Sequence, residues 1–147
     1  MQAKKFTTIP DTLFCVRVTG PPVPQGRANV TRHGTFYATA SNEYREALVM
    51  AYSNLYTGPV IAQPIWVTFK IKGGNQAADL DNIAKQAMDA LQQAEVIADD
   101  CRKIVKHITT IDMDGYPDPL GDDEYLEVVI EPFDGFNLAA TTSGATH

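Results

Sequence analysis

The chain has 147 residues, a formal net charge of −6 and an apolar fraction of 44%, values typical of one soluble globular domain. No apolar run reaches the ~18 residues of a membrane span, and the N-terminal segment lacks the apolar core of a signal peptide. The two cysteines, Cys15 and Cys101, form no CxxC pair and indicate no disulfide framework. We therefore expect a cytoplasmic protein without a membrane partner.

The charge is unevenly distributed along the chain. All 12 Lys and Arg residues lie in residues 1–110 together with 9 acidic residues, so that this part carries a net charge of +3. Residues 111–147 contain the other 9 acidic residues and no Lys or Arg, which gives −9. The total charge argues against a nucleic-acid partner, but the larger part of the chain is basic.

The first half of the chain contains one predicted strand and one predicted helix before a second strand. Residues 14–19 alternate apolar and polar side chains, which predicts a strand that ends at a Pro- and Gly-rich loop, 20–27. Residues 35–38 predict a short strand. A helix is predicted over 41–55, with Ser41 as its N-cap.

The second half of the chain again contains predicted strands and a predicted helix. The strongest strand pattern covers 64–72, and apolar residues at helical spacing predict a helix over 80–94. Two further strands are predicted at 104–111 and 125–130, separated by an acidic loop, 112–123.

Strands and helices in this order suit a sheet with helices packed on it, either α/β or α+β, and we expect an α+β fold of mixed α/β character. We expect a single domain over residues 1–135, with a mixed β-sheet of four to five strands and two main helices packed on it. Residues 136–147 are small and polar, and we expect them to form a flexible C-terminal tail.

Charged side chains recur at the start of the second helix. Asp79 and Asp81 are followed at intervals of four by Lys85 and Asp89, and at ~100° per residue the last three share one helix face. One interpretation is structural, because an aspartate caps a helix N-terminus and each i,i+4 ion pair contributes ~0.2–0.5 kcal/mol. The short pattern alone favours this interpretation.

The other interpretation is a divalent-metal site. Mg²⁺ prefers oxygen ligands and takes a few carboxylates while it keeps places for water and phosphate. Asp79 and Asp81 supply two carboxylates, and the Asp99-Asp100 turn beyond the helix supplies a third. Lys85 then offers a cation to a scissile phosphate. The spacing DxDNxxK, followed by a helix and a DD turn, is much more specific than a bare DxD.

The run Asp79-Leu80-Asp81-Asn82-Ile83-Ala84-Lys85, followed by Asp89-Ala90-Leu91 and Asp99-Asp100, resembles the signature of the RusA family of Holliday junction resolvases. The resemblance implies a homodimer that cuts four-way DNA junctions with Mg²⁺ or Mn²⁺. It implies Asp79, Asp81 and Asp100 as metal ligands and Lys85 as a catalytic cation. Asp89 matches a structural position, and the family implies a bacterial, prophage or phage origin.

Five cations are predicted to bind DNA. They are Arg27, Arg32, Lys70, Lys72 and Lys85. Arginine suits phosphate geometrically, and the two strand lysines share one polar face. The alternative for all except Lys85 is an ordinary solvated charge. Arg102, Lys103 and Lys106 follow Asp100 and carry the same two interpretations.

We expect a Mg²⁺-dependent endonuclease that resolves four-way junctions by paired symmetric nicks. Two alternatives stay open. One is a metal-dependent nuclease that acts on other branched DNA. The other is a protein of the same fold that binds DNA junctions without cutting them.

Overall fold

The computed structural model describes residues 3–5, 12–26, 29–31, 34–36 and 39–133. These residues form seven strands and two helices in chain order: β1 (Ala3–Lys5), β2 (Phe14–Thr19), β3 (Asn29–Thr31), β4 (Gly34–Phe36), α1 (Thr39–Leu55), β5 (Ile65–Lys72), α2 (Leu80–Gln93), β6 (Val105–Asp112) and β7 (Tyr125–Pro132). No helix in the described ranges is long and apolar enough to cross a bilayer.

Five strands form one mixed sheet in the order β1-β2-β7-β5-β6, and β3 pairs with β4 in a separate hairpin. Only β5 and β6 run parallel among the paired strands of the described chain. Parallel neighbours need a crossover connection, and α2 provides it. The crossover carries the motif aspartates from the end of β5 to the start of α2.

Both helices pack on one face of the sheet because the strands alternate. In β5 the residues Ile65, Val67, Phe69 and Ile71 are buried, while the intervening side chains are half-buried. They join inward residues of β2 and β7, and Leu48 and Tyr52 of α1 and Ile83 and Leu91 of α2, in one apolar cluster. This packing turns the polar face of α2 outward.

The opposite face of the sheet is polar and is covered in part by the loop 113–124. Arg17 donates to the Glu127 carboxylate at 3.0 and 3.1 Å and to Asp118 of the loop at 2.8 Å. Its guanidinium lies 3.7 Å from the centroid of the Tyr125 ring. The acidic loop is therefore tied to the sheet face that lies away from the helices.

The predicted α+β fold with a mixed sheet and two helices is confirmed. The prediction of Ser41 as an N-cap is wrong: α1 begins at Thr39, and Ser41 is 4% exposed in its first turn. There its hydroxyl accepts a hydrogen bond from the Gly26 N–H. Strands β1 and β3 were not predicted, and the predicted tail, 136–147, lies outside the described residues.

Candidate active site

A cavity of about 270 Å³ opens between α2, the turn after it and the strand β6. Its charged lining is Asp81, Lys85, Asp89 and Asp100. The first three come from one face of α2, because residues four apart lie one above another on a helix. Asp100 comes from the turn that returns the chain to the sheet. Residues 19 positions apart in sequence therefore meet at one site.

The remaining lining is mostly apolar, and part of it belongs to the core. Phe69 of β5, Ala84 and Met88 of α2, and Ile108 and Thr110 of β6 complete the cavity. Phe69 is fully buried, whereas Ile108 is 52% exposed. The carboxylates and the lysine therefore lie at the rim of a partly apolar cleft, where charge interactions are less screened than in open water.

The charge ladder expected along α2 does not form as ion pairs. Within residues 39–133, Lys85 makes no ion pair with Asp81 or Asp89. Asp89 instead pairs with Arg45 of α1, with 3.5 Å between the Asp89 Oδ2 and Arg45 Nη2 atoms. The Lys85 ammonium, which is exposed, remains available to an anion in the cavity.

Asp79 occupies the N-cap position of α2 but does not cap it through its side chain. Its backbone is extended, with φ −76° and ψ 137°, and the carboxylate makes no capping hydrogen bond. The residue is exposed and does not line the cavity. Only its carbonyl serves the helix, accepting the N–H groups of Asn82 and Ile83 at 3.2 and 3.3 Å.

Asp100 lies in a negative environment. Burial raises its pKa above the ordinary value of 3.8, and a hydrogen bond with Asp99 and the charges of Asp99 and Asp89 raise it further. The Asp100 backbone N–H donates to the Asp99 Oδ1 atom at 2.7 Å, which holds the Asp99 carboxylate against the backbone of this turn. A cation placed among these carboxylates would relieve their repulsion.

The donor set fits a hydrated divalent cation better than a closed metal site. No group of three His, Cys, Asp or Glu side chains among the described residues is arranged to hold a metal ion. Mg²⁺ commonly binds through one or two carboxylates and completes its shell with water and substrate phosphate. Asp81 and Asp100 share a cavity, and the Asp79 carboxylate is uncommitted nearby in sequence, so the residues fit such a site.

The predicted DNA-binding lysines of β5 lie elsewhere. Lys70 pairs with Glu127 at 3.5 Å and Lys72 with Asp122 at 3.9 Å, both on the sheet face opposite the helices. Arg27 and Arg32 lie outside the described residues. The structure therefore brings Lys85 together with Asp81 and Asp100, and it does not bring Lys70 or Lys72 to them.

A second group of exposed cations lies beside Asp100. Arg102, Lys103 and Lys106 are all exposed. They follow the cavity residue Asp100 within six positions of the chain, so they are closer to it in sequence than Lys85.

The sequence patterns missed a polar connection behind the site. Gln86 is fully buried, and its amide donates to the carbonyl and hydroxyl oxygens of Ser41 at 2.8 and 2.9 Å. Arg45 donates to the Gln86 carbonyl oxygen at 2.8 Å. The one sequence feature that indicates burial of Gln86 is its position beside the apolar face of the predicted helix.

Comparison with known proteins gives one match that covers most of the chain. The family model described as endodeoxyribonuclease RusA matches residues 19–130. No curated protein matches the chain. The matched region runs from the end of β2 to β7 and contains every residue that lines the cavity. The chain therefore belongs to the RusA family of endodeoxyribonucleases.

Proposed function

We propose that the protein is a divalent-metal-dependent endonuclease that resolves four-way DNA junctions. The observation that carries the proposal is the cavity in which Asp81, Lys85 and Asp100 meet. Two carboxylates at this rim suit a hard cation, and an ammonium that makes no ion pair with the described residues suits a phosphate. Membership of an endodeoxyribonuclease family makes a DNA phosphodiester the substrate that fits both.

Each residue of the site has a proposed role. Asp79, Asp81 and Asp100 hold Mg²⁺ or Mn²⁺. A divalent cation held there would supply an activated water and would neutralise charge on the scissile phosphate. Lys85 binds a non-bridging phosphate oxygen or stabilises the departing 3′ oxygen, because its ammonium has no competing carboxylate partner among the described residues. Asp89 is held by Arg45 and keeps a structural role.

Symmetry sets the assembly that we propose. A four-way junction that is resolved by two symmetric nicks needs two active sites related by a two-fold axis, and a C2 homodimer provides them. Lys85 contacts DNA at the site, and Arg27, Arg32, Lys70 and Lys72 remain the other proposed DNA contacts. The setting we propose is recombination and repair of DNA in the cytoplasm of a bacterium, with a phage or prophage origin.

A cleavage assay tests the substrate and the metal together. Purified protein is offered a labelled four-way junction and a linear duplex of matched sequence, each with Mg²⁺ or with EDTA. We expect paired nicks in the junction with Mg²⁺ only. Junction binding without Mg²⁺-dependent cutting would support the non-catalytic alternative, and equal cutting of the linear duplex would remove the junction preference. A flapped duplex in the same assay tests the alternative of another branched substrate.

Asp81→Asn separates catalysis from binding. We expect the variant to lose cleavage by roughly 100-fold or more, since it removes a charged group at the reacting phosphate. Junction affinity in EDTA should be unchanged or higher, because one negative charge near phosphate is gone. Asp123→Asn is the matched control, since Asp123 is exposed and lies far along the chain in the acidic loop. Normal cleavage by Asp81→Asn would contradict the assignment of Asp81.

A further inference from the structure

The acidic loop 113–124 reaches back to the turn that precedes α2. The Gly73 N–H donates to both carboxylate oxygens of Asp114, at 3.1 and 3.3 Å, and the Gly74 N–H donates to the Glu124 Oε2 atom at 2.5 Å. The Gln76 amide donates to Asp114 Oδ2 at 3.0 Å. Two carboxylates from opposite ends of the loop therefore accept hydrogen bonds from the same turn.

The turn has a backbone that only glycine adopts readily. Gly73 and Gly74 have φ of +87° and +77°, in the left-handed region. A Cβ on Gly73 would overlap the Glu124 side chain, and a Cβ on Gly74 would lie 2.5 Å from the Pro22 carbonyl oxygen. The turn is thus enclosed between the acidic loop on one side and the Pro-rich loop on the other.

Hydrogen bonds continue from this turn to Asp79. The Asn75 side chain accepts the Ala77 N–H at 2.9 Å, and the Asn75 carbonyl accepts the Ala78 N–H at 2.9 Å. The next residue is Asp79, whose carbonyl begins the hydrogen bonding of α2. The backbone between Gly74 and Asp79 is therefore restrained by hydrogen bonds.

Asp114 and Glu124 are themselves held close to the sheet by hydrogen bonds. The N–H of Met113, beside Asp114, donates to the Ile71 carbonyl at 2.7 Å, and the Asp114 N–H donates to Asp112 Oδ1 at 2.9 Å. The Glu124 carbonyl accepts the Gly20 N–H at 2.8 Å. Both carboxylates thus start from positions that the strand ends define.

We propose that Asp114 and Glu124 are positioning residues that hold the β5–α2 turn and thereby aim the Asp79 carboxylate at the metal. The inference rests on the proposed function for the identity of Asp79 as a ligand. Both Asp114 oxygens and the Glu124 Oε2 atom accept N–H groups of the turn, so the proposed role of these acids is to hold the turn. The proposal gives two acids of the negatively charged C-terminal part a structural role beside the site.

The test measures metal affinity apart from cleavage. Free Mn²⁺ is titrated against the full chain by electron paramagnetic resonance, for the wild type, Asp114→Ala, Asp114→Asn and Glu124→Ala. Asp123→Ala is the control, since Asp123 makes no side-chain hydrogen bond or ion pair with the described residues. Urea unfolding confirms that each variant is folded, and Glu124→Ala carries the test if Asp114→Ala is not.

We expect Asp114→Ala and Glu124→Ala to weaken Mn²⁺ binding about tenfold, the usual effect of losing a group that orients a metal ligand. Junction affinity in EDTA should stay within about twofold of the wild type, as for a distant site. Asp114→Asn should restore most of the Mn²⁺ affinity, since its oxygen still accepts the Gly73 N–H and Gln76 can rotate its amide.

Two results would overturn the inference. One is wild-type Mn²⁺ affinity in a folded Asp114→Ala or Glu124→Ala variant. The other is a parallel loss of Mn²⁺ binding and of EDTA junction binding, which indicates a general effect on the fold. A wild-type chain that binds Mn²⁺ but leaves the junction uncut contradicts the proposed function, whereas the positioning role is judged from the Mn²⁺ affinities alone.

Discussion

Asp79 is the residue at which the structural and the metal-binding interpretations of the motif diverge most clearly. An aspartate before the first helical turn ordinarily accepts a backbone N–H and stabilises the helix by ~1 kcal/mol. Here the carboxylate at the N-cap makes no such bond. Local stability therefore does not explain an aspartate at this position.

Replacement of Asp79 distinguishes the two interpretations. We expect Asp79→Ala to lose cleavage by roughly 100-fold, while the free energy of unfolding changes by less than ~0.5 kcal/mol, because no capping bond is lost and an exposed carboxylate interacts only weakly with the helix dipole. Urea denaturation and single-turnover cleavage measure the two quantities. Asp79→Asn, which can cap but carries no charge, is the control. A loss of ~1 kcal/mol or more with full cleavage would favour the capping role.

At the scale of elements, α2 is fixed by polar bonds to two neighbours as well as by its apolar face. Gln86 bonds to Ser41 of α1, and Ser41 in turn accepts the Gly26 N–H of the Pro-rich loop. The Gln25 N–H of the same loop donates to the Asn82 carbonyl at 3.1 Å. The loop before Arg27 is thus docked on the first turn of the helix that carries Asp81.

Gln86→Leu tests this connection. The substitution leaves the Ser41 carbonyl and the Arg45 Nε–H without their partner, and we expect a loss of about 1–3 kcal/mol in the free energy of unfolding. Gln93→Leu on the exposed part of the same helix should change it by less than ~0.5 kcal/mol. Equal losses of unfolding free energy for the two variants in urea denaturation would show that the buried hydrogen bonds of Gln86 do not stabilise the fold.

For the whole molecule, the structure commits several acids of the C-terminal part to cations away from the cavity. Asp118 and Glu127 pair with Arg17, and Lys70 and Lys72 pair with Glu127 and Asp122, on the sheet face away from the helices. Arg102, Lys103 and Lys106, by contrast, are exposed and follow the cavity residue Asp100 within six positions of the chain. A net charge of −6 therefore does not prevent the chain from exposing cations close in sequence to a residue of the cavity.

The attachment of the acidic loop should make stability depend on pH. The Leu120 N–H lowers the pKa of Asp118 below 3.8, burial opposes this, and the Arg17 guanidinium lowers it further. A carboxyl with a lowered folded pKa binds fewer protons in the folded than in the unfolded state. The stabilisation is therefore complete above about pH 5 and is lost as the pH falls through the folded pKa.

Asp118→Asn should remove this dependence. We expect a loss of about 2 kcal/mol in the free energy of unfolding at pH 7, since a charged hydrogen bond to Arg17 is lost. The difference from the wild type should shrink as the pH is lowered from 5 toward 3. Urea unfolding over this pH range measures it, with Asp123→Asn as the control. A difference that stays constant with pH would contradict the role of the Asp118 charge.

Most helices and strands can be predicted from the sequence because each has its own periodic pattern of apolar residues. The alternation in 64–72 and the helical spacing in 80–94 predict β5 and α2 to within one residue at either end. The three-residue strands β1 and β3 are too short to show a period. The prediction of Ser41 as the N-cap fails because a serine near a helix start is typical of a cap. The sequence does not reveal that the Ser41 hydroxyl accepts hydrogen bonds from Gly26 and Gln86 instead.

The sequence by itself determined the fold class, the family and the aspartate and lysine candidates, because strand and helix periods and a seven-residue motif are local properties of the chain. Only the tertiary structure decided which candidates meet. Asp81, Lys85 and Asp100 share a cavity because the β5–α2–β6 crossover returns the chain beside the helix it has just formed. Lys70 and Lys72 are instead paired with acidic side chains on the opposite face. Such pairings join residues about fifty positions apart, and no local pattern encodes them.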